Sequence, residues 1–122
     1  MILLNDFFFI LQQEITSNSI KSKISFNKDH KILKGHFPGM PVVPGVCMVQ
    51  IILEVMEKLT LKSLRLVEAD SIKFLTVMVP GEYNEIELMI NYTSLQERIR
   101  LTASIFSGTT VFFKLNGTLT AG

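Results

Sequence analysis

The run from Gly35 to Lys58, GHFPGMPVVPGVCMVQIILEVMEK, constrains the fold of this chain more than any other stretch. Pro38 and Pro41 fix the backbone of a loop, Gly39 admits a turn, and Pro44-Gly45 stands where a helix begins. The loop therefore presents His36 from a stiff backbone. From Val46 to Leu59 apolar residues surround nearly the whole of the following helix, leaving Gln50, Glu54, Glu57 and Lys58 as one polar stripe at i, i+4, i+7 and i+8. A helix apolar on most sides is buried, so the remainder of the chain has to cover it.

That remainder reads as strands. Phe7 to Ile15 is apolar and extended, Thr16 to Ser19 is a turn by composition, and Ile20, Ser22, Ile24 and Phe26 alternate with Lys21, Lys23 and Ser25 to form a half-buried partner strand. Asn27 to Lys34 reads as a polar loop in which His30, between Asp29 and Lys31, is exposed and uninvolved. After the helix, Lys62 to Met78 is extended, with Glu68 to Ser71 breaking the pattern as a bulge does, and Val79 to Glu82 turns the chain. Ile86, Leu88, Ile90 and Tyr92 share a face, as do Ile99, Leu101, Ala103 and Ile105, with a turn at Ser94 to Glu97 between them. Ser107 to Thr109 makes the next hairpin, and Val111, Phe113, Leu115 and Leu119 complete the last strand. The order implies a single α+β domain over residues 1–122, an antiparallel sheet of five or six strands wrapped around one long helix. Such a helix spans roughly 21 Å at 1.5 Å per residue, and one sheet covers it on one side only. A dimer joining two sheets edge to edge covers the other flank and the strand edges.

Composition narrows the function. At 122 residues and 48% hydrophobic content the chain can bury a single core. Cys47 is the single cysteine and lies in the apolar helix, which fits a buried thiol in a cytosolic protein. The run Phe7 to Leu11 lacks the basic flank and small-residue cleavage site of a signal peptide and is too short to span a membrane. Net charge is +1, with Lys21, Lys23, Lys28, Lys31 and Lys34 close together. No tryptophan, arginine cluster or basic helix points to nucleic acid. Two separated histidines fall short of a metal ligand set, and nothing implies a cofactor.

His36-Phe37-Pro38-Gly39, Pro41 and Pro44-Gly45-Val46 stand in the spacing H-F-P-(G/N)-x-P-x-x-P-G-(V/C), and Phe74 followed by Val79-Pro80-Gly81-Glu82 is similar to F-x-x-P-V-x-P-G-D. Both resemble the 3-hydroxyacyl-acyl-carrier-protein dehydratases with the hot-dog fold. The resemblance implies that fold, a homodimer or homo-oligomer of dimers, and a cytoplasmic hydro-lyase converting a 3-hydroxyacyl thioester to the trans-2-enoyl thioester in fatty acid or related acyl-chain synthesis. It implies His36 as base, the Gly45 amide with Val46, Phe37 and Pro44 as the thioester cradle, and His36 of one chain facing the helix of another. The sequence departs from the family at Gln50, where the family carries its catalytic glutamate or aspartate, and at Glu54, where it usually carries glutamine. On a helix these positions share a face, so a carboxyl and an amide still project together.

Elimination of water from such a thioester needs a base, an acid and stabilisation of the enolate-like oxygen. A histidine can take the proton at neutral pH, and the N–H of Gly45 at the start of the helix can meet the oxygen. Glutamine cannot serve as the acid; Glu54 can fill that role if burial keeps it protonated, or it forms a solvated face with Glu57 and Lys58, while Gln50 can orient the hydroxyl or a water. The lysines can steer an acidic carrier protein or form a solvated face. A hot-dog thioesterase and a non-catalytic acyl-thioester-binding subunit are the alternatives.

Overall fold

A computed structural model describes residues 2–35 and 41–122 of the chain. Among the described residues six strands and two helices follow in the order β1 (Phe8–Ile15), β2 (Ser19–Phe26), α1 (Lys31–Gly35), α2 (Gly45–Thr60), β3 (Leu64–Phe74), β4 (Ile86–Leu95), β5 (Arg98–Ser107) and β6 (Thr110–Ala121), with one 3-10 turn at Pro80–Glu82. The strands make one antiparallel sheet in the order β1-β2-β4-β5-β6-β3. This is the expected α+β architecture at the upper end of the strand count. The stretch read as a polar loop differs: its last residues form α1, whose final residue, Gly35, directly precedes His36.

Alternation explains the sheet. Ile20, Ser22, Ile24 and Phe26 point inward from β2, Ile86, Leu88 and Ile90 from β4, and Ile99, Leu101, Ala103 and Ile105 from β5. A one-residue slip would turn each of these sets to solvent, so burial fixes the register. Ile51, Ile52, Val55 and Met56 of α2 fill the space within the curve of the sheet and are essentially inaccessible. Burying each such side chain contributes roughly 1.5–3 kcal/mol relative to leaving it exposed, which outweighs the modest helix propensity of β-branched residues. The helix ends at Leu61 in the left-handed region, φ 58°, where its N–H reaches the Glu57 carbonyl.

Two features of β3 bear on the site. Its register against β6 shifts twice, between Leu66 and Glu68 and between Ala69 and Ser71, as the interrupted pattern there implied. A Cβ on Gly117 would stand 2.5 Å from the Glu68 carbonyl oxygen, so the closeness of β6 to the first bulge demands glycine. Beyond the bulges β3 lies at the sheet edge, and Ile72, Phe74, Leu75 and Val77 are exposed there and just after it.

Candidate active site

The amino end of α2 is open. Pro44, at φ −63° and ψ 147°, caps the helix without a side-chain hydrogen bond, and its carbonyl accepts from the N–H groups of Cys47 and Met48. The N–H groups of Gly45 and Val46 have no acceptor among the described residues. A helix start leaves such donors unpaired and carries a partial positive charge, which favours a developing oxyanion. Val46 is exposed beside them, as is Phe74 on β3, whose ring packs on Phe113 at 5.4 Å between centroids. A Cβ on Gly45 would come within 2.5 Å of the Phe74 ring. Glycine thus lets that ring lie against the helix start, and the same bare Cα lets a ligand near the amide.

His36 and Phe37, expected as base and cradle residue, lie outside the described residues. What leads into them is described. His30 is buried, contrary to the expectation of an exposed loop residue: its ring packs edge-on to Phe7 at 5.0 Å. Polar neighbours in sequence, Asp29 and Lys31, gave no sign of this. The His30 Nδ1 accepts the Ile32 N–H at 3.1 Å, which places the ring hydrogen on Nε2, 3.0 Å from Asp6 Oδ2.

Gln50 and Glu54 meet as their spacing implied: Gln50 Nε2 donates to Glu54 Oε2 at 2.8 Å. The surroundings of Glu54 were not foreseen. It is 5% exposed, the Leu3 N–H lies 2.9 and 2.8 Å from its two oxygens, and the Leu4 N–H donates to Oε1 at 2.7 Å. Both oxygens are acceptors here, so the carboxylate anchors the segment ahead of β1 and holds the Gln50 amide. Cys47, one turn from the helix start, is buried, and burial pushes its thiol above the ordinary value of 9.0. It is an unreactive packing residue.

The five lysines separate into two groups. Lys21 stands opposite Glu14, and Lys23 stands opposite Glu87 with its ammonium 3.5 Å from Glu85. Lys28, Lys31 and Lys34 remain exposed on the approach to the His36 loop. Among the described residues no three His, Cys, Asp or Glu side chains gather as a metal site, and no helix is long and apolar enough to cross a membrane.

Known proteins share this fold. Residues 12–112 match the family model of the ApeI dehydratases. The solved dehydratase heterocomplex ApeI:P of Xenorhabdus doucetiae contains a chain of the same hot-dog fold, with a TM-score of 0.72 and 17% identity, covering 91% of this chain and 96% of its own. An uncharacterized protein from Erwinia carotovora subsp. atroseptica aligns with a TM-score of 0.60 and 20% identity over 92% of both chains. No curated protein matches the sequence.

Proposed function

Since the chain belongs to the ApeI-like dehydratase family, we propose that it is a hydro-lyase acting on a (3R)-hydroxyacyl chain carried as a thioester on an acyl carrier protein. The product is the trans-2-enoyl thioester, and the setting is fatty acid or related acyl-chain synthesis. The uncommitted N–H groups of Gly45 and Val46 carry this assignment, because they stand at the end of the loop that begins with His36 and face exposed apolar residues.

The His36 imidazole takes the α-proton, the electron pair moves into the new double bond, and the thioester oxygen draws on the Gly45 N–H as negative charge develops. In a syn elimination the hydroxyl departs on the face from which the proton was taken. The imidazolium formed in the first step therefore returns its proton to the leaving oxygen, and water is released. This accounts for the proton without asking Glu54, whose oxygens accept amides, to donate one. Gln50, oriented by Glu54, lines up the hydroxyl or a water. Phe37, Pro44 and Val46 flank the acyl thioester.

The site is completed by a second chain along the β3 edge, where the partner covers Ile72, Phe74, Leu75 and Val77. A second copy of this chain gives a homodimer; the heterocomplex formed by the Xenorhabdus neighbour supports pairing with a different chain as the second reading. The exposed Lys28, Lys31 and Lys34 steer the acidic carrier to the His36 loop.

Incubation with a short 3-hydroxyacyl carrier thioester, following enoyl absorbance and free thiol together, tests the proposal. Enoyl product with a loss of roughly 100-fold or more in His36→Ala is the expected result. No turnover above the His36→Ala control overturns it, and thiol release without enoyl product marks a thioesterase instead.

A further inference from the structure

The outer surface of the sheet, turned away from α2, carries a charge pattern that folding does not explain. Pairing places Lys73 of β3 opposite Lys114 of β6, Lys114 opposite Ser104 of β5, and Ser104 opposite Met89 of β4. Leu115, Ala103 and Ile90, their neighbours in sequence, are buried in the core, so this row points outward. Like charges directly opposite on paired strands repel at a Cβ separation of roughly 5 Å. Three other cations of the same surface have acidic partners: Lys21 stands opposite Glu14, Lys23 binds Glu85, and Arg100 binds Asp70. Arg65 and Arg98 lie at its far end, each opposite Thr120 rather than each other. Lys73 and Lys114 alone are set face to face, and among the described residues neither is in an ion pair.

The two lysines border a shallow cavity of about 310 Å³. Ser71, Asn116, Thr102 and Asn91, paired across the same four strands, form its next row. Among the described residues their side chains are in no hydrogen bond, unlike Thr118 farther along β6, which accepts from Arg100. No carboxylate lines the cavity. We propose that it is a binding site for a phosphate ester of a small polar molecule, held between Lys73 and Lys114. Two ammonium groups facing one space call for a dianion, and a phosphate monoester carries about −1.5 to −2 near neutral pH, where a carboxylate would match only one of them. Lysine serves such a group as a point charge, and the Ser104 hydroxyl beside the pair adds a donor. The amides and hydroxyls of the second row suit the hydroxylated body of the ester, with Met89 as an apolar contact. The site lies on the side of the sheet away from the Gly45 amides and does not rest on the dehydratase reading.

Amide NMR of the full chain, titrated with inorganic phosphate and with glycerol phosphate at constant ionic strength, tests this. Saturable shifts at residues 71–73, 102–104 and 114–116 are expected with both, the ester binding more tightly. Both lysines are exposed, so their replacement leaves the core intact. Lys73→Gln and Lys114→Gln should each weaken binding by about 10-fold, whereas Lys21→Gln, on the same row but opposite Glu14, should leave it unchanged. Without phosphate the first two variants should melt no lower than wild type, since each removes a repulsion, and added phosphate should raise the Tm of wild type only. Absence of saturable shifts, or undiminished shifts when both lysines are replaced, overturns the proposal. So does an equal response to chloride at the same ionic strength, which would show two charges being screened and no site.

Discussion

Glu54 joins a buried carboxylate to backbone amides some fifty positions away, and its loss strands those amides. Replacing Glu54 with alanine leaves the Leu3 and Leu4 N–H groups without their acceptor and should destabilise the protein by about 3 kcal/mol in urea unfolding. Lys58→Ala, on an exposed part of the same helix, should stay within about 0.5 kcal/mol. Equal effects would show that the amides find other partners. The contrast marks what local pattern reveals. The four-residue spacing of Gln50 and Glu54 was enough to bring them together, because helix geometry alone decides that. The partners of Glu54 depend on where the chain ahead of β1 returns, and no periodicity encodes it. His30 is a similar case: its neighbours in sequence are charged, while the groups that enclose it, Phe7 and Asp6, arrive from another element.

At the scale of elements the packing of β3 on the start of α2 is the sensitive joint. Gly45→Ala pushes a methyl group into the Phe74 ring, and the ring, being exposed, can swing away. A cost of about 1 kcal/mol is expected for Gly45→Ala, falling well below that in a Phe74→Ala background, as a double-mutant cycle of unfolding energies would register. Independent costs in the two backgrounds would mean that the ring does not set the requirement for glycine. The strands β2, β4 and β5 were readable because each has one buried face, and their alternation followed from it. The bulge in β3 was readable because Glu68 to Ser71 interrupt its apolar residues. The start of α1 was not, because a five-residue helix spans little more than one turn, too few residues for an apolar pattern to repeat, and its first turn is tied to the ring of His30.

For the whole molecule the open question of assembly turns on one edge. An exposed apolar edge strand invites pairing, and charges placed on it prevent that. A mass twice the 13.8 kDa of the chain is expected by light scattering for the protein alone, and the single-chain mass for Ile72→Lys combined with Val77→Lys. The single-chain mass for the unaltered protein would rule out the homodimer and leave pairing with a different chain. The strand order adds a kinetic side to this. The hairpins β1-β2, β4-β5 and β5-β6 close short loops, whereas β2-β4 must bring Ile24 to Ile86 and β3-β6 must bring Phe74 to Phe113. Distant pairings are the slow ones, because loop closure has to precede their reward. The strand that offers its edge to a partner is therefore among the last to be seated, so a second chain arriving on β3 meets a strand still being fixed, and assembly and the end of folding can become one event.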